Sequence, residues 1–262
     1  MSVRVAFFLI LFIAGFVGVL SILLIDLNAL VGILPVPAGT EVPNITTSLK
    51  LLSLVQPTVI LFVAVLAGVL FAPQVGLSSP LATAAAKGED YLAAIRPQIL
   101  PGIIGGFLGG FAIVLIARIW APFLPSSVAP LVSQFAKLMP LVTRVLYGGV
   151  TEELLLRWGL MTFLAWLAWR IFQKRRAAPT TAVFATAITI SSLIFGIGHL
   201  PIALMLFPSP PISLIAFVIV ANSVFGFIAG FLFWKKGLES AMIAHMTAHL
   251  LMFTASYFGA YF

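Results

Sequence analysis

Two adjacent carboxylates, Glu152 and Glu153, with Arg157 close behind and three histidines elsewhere, His199, His245 and His249, are the groups in this 262-residue chain best suited to moving protons. The glutamates sit in the string GGVTEELLLRWGLMTFLAWLAWRIF, in a chain with seven acids in all and a mean hydropathy of +1.20. Ionisable side chains at membrane depth are costly, so each is a candidate for function with a partner to be named. On a helix, residues four apart share a face, and Glu ahead of Arg is the favourable order. The spacing therefore predicts a Glu153–Arg157 pair that holds one carboxylate rigid. Glu152 points about 100° away and is not claimed by that pair. Gly148-Gly149 and Thr151 predict a helix start here, which favours an ionised carboxylate, whereas apolar surroundings favour the protonated one. Opposing influences of that kind suit a general base working near neutral pH. The alternative is that both glutamates only cap the helix and pair with the arginine.

His199 closes the string SSLIFGIGHLP, where Gly198 and Pro201 mark the chain turning at a helix end; alone, it also fits an interfacial histidine. His245 and His249 are four apart and stack on one face of the last apolar segment. In hydrocarbon such a pair needs a polar cavity or hydrogen-bond partners, and a structural pairing across the bundle is the competing reading. Asn222, in AFVIVANSVFGFIAGF, is a further polar group at depth, structural or lining a substrate pocket. Gly226-x-x-x-Gly230 beside it supplies a close-packing face.

The elements that must position these groups are apolar helices. Hydrophobic residues make up 62% of the chain and charged ones 8%, outside the range of soluble domains. Segments at about 4–26, 50–72, 98–122, 150–173, 180–200, 211–234 and 238–260 are long and apolar enough to span a bilayer. The 127–148 segment carries Lys137, Pro140 and Arg144 and reads as an amphipathic or re-entrant helix roofing a water-filled cavity. The fold class is thus all-α, a polytopic membrane helix bundle of about seven transmembrane helices plus that one, in a single integral-membrane domain over 1–262. The first segment is too long for a signal-peptide core and lacks a small-x-small cleavage site, so it reads as a retained helix. The 27–49 loop, rich in proline, glycine and threonine, reads as extracytoplasmic.

Charge fixes an expected orientation. With the amino terminus cytoplasmic, Arg4, Lys87, Arg96, Arg170, Lys174, Arg175, Arg176, Lys235 and Lys236 fall inside, against Lys50, Arg118, Lys137 and Arg144 outside. That bias follows the positive-inside rule, and the net charge of +7 reads as membrane anchoring, with no nucleic acid implied. No cysteine is present, which removes thiol catalysis, disulfides and cysteine-held metal. No HExxH string occurs. The two aspartates, Asp26 and Asp90, lie in polar flanks, so an embedded aspartyl dyad is absent. Gly76-Leu77-Ser78-Ser79 only echoes a serine-nucleophile turn in a polar loop.

TEELLLR, FGIGH and HMTAH, in that order, resemble the CPBP family of intramembrane endopeptidases, which includes CAAX prenyl proteases and bacteriocin-processing (Abi) proteins. Its motifs are EExxxR, FxxxH and HxxxN, and the resemblance covers about 145–260, the catalytic motif region. It implies hydrolysis of a peptide bond in a membrane-associated substrate, prenylated or not. Glu152 would activate water with help from His199, Glu153 and Arg157 would support it, and Phe195 would shape the pocket. His245 would stabilise the oxyanion together with position 249, where the family has asparagine and this chain has His249. A neutral histidine still donates one N–H. No cofactor is implied; the alternative is zinc held by Glu152, His199, His245 and His249, whose bound water would titrate near neutrality. A non-catalytic scaffold or immunity protein, and a proton-relaying transporter, are the competing functions.

Overall fold

The computed structural model describes residues 2–35 and 44–259. The middle of the expected 27–49 loop, residues 36–43, and the end of the last predicted helix lie outside those residues. The flanks of that loop form two short helices, Leu27–Gly32, capped by Asp26, and Thr47–Leu52. The principal helices are α1 (Val3–Leu20), α2 (Val55–Val75), α3 (Pro80–Lys87), α4 (Tyr91–Trp120), α5 (Val128–Leu138), α6 (Leu141–Phe172), α7 (Thr181–Gly198), α8 (Ile212–Lys235) and α9 (Leu238–Tyr257). Among the described residues there is no strand, and the chain is an all-α, multi-pass membrane bundle.

Among the described residues, six helical stretches are long and apolar enough to cross a membrane. The last helix is not among them. At 20 residues it matches a bilayer in length, but Glu239, His245 and His249 dilute its hydropathy. Glu239 is turned toward α3 and both histidines toward α6, while Ile243, Ala244 and Thr247 pack the helix against α4. Gly102, Gly106 and Gly110 form a ladder on α4 at intervals of four. A Cβ on Gly106 would collide with Thr247 and the Ala244 carbonyl, and one on Gly102 would meet Ile243. Small residues in this register let helix backbones approach closely, and here they seat the helix that carries both histidines. The opposite face of α4 exposes Phe107, Leu108 and Phe111, as contact with lipid requires.

Helix α4 begins at Tyr91, not near residue 98. Asp90 caps it through Leu92 N and Ala93 N at 2.9 and 3.0 Å, and Pro97 and Pro101 lie inside the helix rather than at its start. Residues 73–97, which read as a loop between the second and third crossings, contain the helix α3. Helix α3 is held by Glu239, which accepts from Ser79 Oγ at 2.5 Å, Leu81 N at 3.1 Å and Ala82 N at 3.4 Å. One end of α9 is thereby fastened to the loop between the second and third crossings.

The largest departure from expectation is α6. The predicted start near residue 150 is wrong: the helix begins at Leu141, nine residues earlier, after a break at Met139-Pro140. Gly148-Gly149 do not mark a helix start; they are packing sites within a helix. Two π-helical stretches, Arg144–Glu152 and Leu154–Met161, make up the middle of α6. Thr151 is no helix-start residue either, because its hydroxyl donates to Gly15 O of α1 at 2.8 Å. Thr143 does the same to Ser21 O at 2.8 Å. The expected amphipathic segment is the short α5, tied to α6 by Arg144, whose guanidinium donates to Met139 O at 3.1 Å and to Ala136 O.

Candidate active site

With α6 starting at Leu141, Glu152 lies eleven residues in, at most about 16 Å along the axis. His245 is seven residues into α9, which enters from the other end. That early start removes the depth mismatch of a motif placed at a helix terminus. The carboxylates and imidazoles meet in the interior.

π-Helical turns are rare and concentrate at functional sites. Here the wider turn carries two consecutive glutamates toward one histidine. His245 Nδ1 lies 2.8 Å from Glu153 Oε1, and His245 Nε2 lies 4.0 Å from Glu152 Oε2. Glu153 also pairs with Arg157, Oε2 to Nε at 3.2 Å, as the spacing predicted. Arg157 Nη2 donates to Gly226 O of α8 at 3.1 Å. Its guanidinium carbon lies 4.8 Å from the centre of the Phe195 ring.

Burial divides the two glutamates. The Glu153 side chain is 0% exposed and that of Arg157 1%, so this ion pair is sealed and its partners cannot be separated cheaply. Glu152 is 21% exposed. It is the carboxylate with room for a water molecule or a substrate, and its distance to His245 is one that a single water bridges.

Phe195, buried, is the hub of the aromatic packing. It meets the His199 ring edge-on at 4.7 Å and the His245 ring edge-on at 5.7 Å. Phe225, which spacing did not single out, lies 4.4 Å from the His245 ring. His199 stands at the break between α7 and a short helix, Leu200–Leu206. Its Nδ1 is 2.8 Å from Phe195 O, a contact that fits an Nδ1–H donor because a carbonyl only accepts. That tautomer leaves Nε2 with a lone pair for accepting a proton. No hydrogen bond links His199 to Glu152; it joins the group through Phe195.

His249 is half-buried and lies flat on His245, ring centres 4.8 Å apart and planes within 13°. Its Nε2 faces the α6 backbone at Gly148, where a Cβ would collide with it. Asn222 is set apart from this group, its amide donating back along its own helix to Val218 O at 2.8 Å. Among the described residues no three of the histidine and acidic side chains stand close enough to hold one metal ion. A cavity of about 550 Å³ lies between α4 and α8, and one of about 310 Å³ beside Lys174–Arg176; neither is lined by these residues.

The glutamates, Arg157 and the His245–His249 pair can thus polarise a water, hold an imidazole in one orientation and present an N–H to developing negative charge. Residues 134–251 match the family described as Type II CAAX prenyl endopeptidase Rce1-like. The match contains every residue just described and bears out the likeness carried by the three motifs. It supports a membrane-embedded peptide hydrolase of the CAAX-protease kind. No curated protein and no solved structure matches the chain.

Proposed function

Because the stretch holding this site is similar to a family of membrane proteases, we propose that the chain is an intramembrane endopeptidase in which Glu152 activates the hydrolytic water. The observation that carries the reading is the asymmetry of the glutamate pair. Glu153 is locked between Arg157 and His245, while Glu152 keeps an accessible carboxylate 4.0 Å from His245 Nε2.

Glu152 takes a proton from water as the oxygen bonds to the scissile carbonyl carbon. His199, with Nε2 unprotonated, helps to orient that water. The oxyanion formed faces His245, whose Nε2 donates when the proton shared with Glu153 rests on the carboxyl group or the ring is cationic. Collapse of the intermediate breaks the C–N bond, and the proton held by Glu152 passes to the leaving nitrogen. The family description makes a peptide with a prenylated carboxyl-terminal cysteine the first substrate to try. The reaction needs no metal in this reading. The orientation proposed is the one expected from charge, with the amino terminus cytoplasmic.

The test is Glu152→Gln in purified protein reconstituted into liposomes with a farnesylated CAAX reporter peptide. General-base catalysis contributes about 10²–10⁴-fold, so cleavage should fall by that factor while thermal unfolding stays at the parent's temperature. Equal cleavage by the variant and the parent would remove Glu152 from the mechanism.

A further inference from the structure

One group of basic residues is built into a pinned turn at the end of α6. The helix stops at Phe172, and the chain reverses over residues 173–180 before α7. Trp169 Nε1 donates to Arg176 O at 3.2 Å, and Arg176 N donates to Gln173 O at 2.9 Å. Gln173 then bridges the turn, its Nε2 donating to Thr180 Oγ1 at 2.7 Å and its Oε1 accepting from Thr180 N at 3.1 Å. Lys174, Arg175 and Arg176 are therefore presented from a fixed backbone.

These three exposed cations line a cavity of about 310 Å³ together with Ile171, Phe172 and Gln173. Among the described residues, none of the three takes part in an ion pair. The lining changes character along its length. Phe172, 81% exposed, and Ile171 offer hydrocarbon at the helix end, and the cations follow directly after it. Two tryptophans mark the depth. The Arg170 guanidinium carbon lies 5.5 Å from the centre of the Trp169 ring, and Lys235 Nζ lies 3.4 Å from that of Trp234. Phe184 of α7 stacks on Trp234, ring centres 5.1 Å apart, which sets the end of α8 beside the start of α7. Tryptophan concentrates at the level of lipid headgroups, so cations just beyond Trp169 stand level with phosphates.

We infer that the α6–α7 turn is a binding site for the phosphate of an anionic phospholipid, whose acyl chains run along Ile171 and Phe172. Arginine meets phosphate oxygens through two parallel N–H donors, and two arginines with a lysine neutralise an anionic headgroup. The ammonium of a zwitterionic lipid would instead face three cations. No residue of the turn belongs to the glutamate–histidine group, so the inference stands apart from the hydrolytic reading.

The experiment measures lipid binding to the whole chain in dodecylmaltoside by native mass spectrometry. Phosphatidylglycerol and phosphatidylcholine with the same acyl chains are added at equal concentration. A basic residue near an anionic surface contributes about fivefold to affinity. The triple variant Lys174→Gln, Arg175→Gln, Arg176→Gln should therefore bind phosphatidylglycerol about 10²-fold more weakly, with the parent's unfolding temperature. A second triple variant, Lys50→Gln, Arg118→Gln, Lys137→Gln, removes the same charge from the short helix before α2 and the last turns of α4 and α5; it should bind as the parent does. Equal loss in the two triple variants overturns the inference, because net charge would then be the cause. Parent-like binding in the first variant overturns it as well, and so does equal affinity of the parent for the two lipids. Displacement of phosphatidylglycerol by inorganic phosphate at the same concentration would make this a site for a soluble anion and also overturn it.

Discussion

Replacing Arg157 by methionine tests whether the sealed pair organises the site. The guanidinium is 1% exposed and contacts Glu153 at 3.2 Å, Gly226 O at 3.1 Å and the Phe195 ring at 4.8 Å. Removing it strands the Glu153 carboxylate in an apolar interior, and breaking a buried pair in this way costs about 3–5 kcal/mol. Removing both charges, as Glu153→Leu with Arg157→Met, leaves no stranded ion. The remaining cost is chiefly the unpaired His245 Nδ1, about 1–3 kcal/mol. The double variant should therefore be more stable than Arg157→Met alone, although it carries one more substitution. Unfolding in dodecylmaltoside micelles titrated with sodium dodecyl sulfate, followed by tryptophan fluorescence, measures both variants against the parent. Cleavage should be lost in both, because Arg157→Met removes the guanidinium that fixes the Glu153 carboxylate and the double variant removes the carboxylate that orients His245. If Arg157→Met lies within about 1 kcal/mol of the parent, on the scale of an exposed pair, the reasoning from burial is refuted. The same holds if the double variant is the less stable of the two.

Gly106→Val should push α9 off α4 through Thr247 and the Ala244 carbonyl. Overpacking of this kind costs about 1–3 kcal/mol, and displacing His245 should lower kcat as well; both are read from the unfolding titration and the cleavage assay. Glu239→Gln weakens the acceptor for Ser79, Leu81 and Ala82, with an expected loss of about 1–3 kcal/mol. Faster amide exchange across residues 80–87 would show it, and unchanged exchange would exclude it. Chelation with 1,10-phenanthroline should leave cleavage intact in the metal-free mechanism, and elemental analysis of the active protein should find no stoichiometric zinc.

Much of the site was legible because its signals are local. The Glu153–Arg157 pair follows from an interval of four, and the interval between His245 and His249 stacks their rings in the same way. What failed were features whose meaning is tertiary. Gly148-Gly149 look like a helix boundary in one dimension, yet they clear space for His249 and Met246. The third crossing starts at Tyr91 rather than near 98 and takes Pro97 and Pro101 into its interior, where prolines are tolerated if neighbours satisfy the freed carbonyls. The π-helical stretch leaves no mark in hydrophobic periodicity, since nearly every position around it is apolar. The glycine ladder on α4 was visible as IIGGFLGGF, a small-residue repeat whose partner only the packing of α9 reveals. Phe225, against the His245 ring, carried no spacing signal at all.

The widened turns of α6 also bear on how this sequence can be aligned and edited. Deleting a single residue between Arg144 and Met161 would let the stretch relax to ordinary α-helical winding while preserving the crossing as a whole. Every side chain beyond the cut would swing by about 100° relative to those before it. A one-residue gap in this segment is therefore a change of phase between the two ends of α6, and a shortened relative would need compensating rotation elsewhere to bring both carboxylates back to the imidazole.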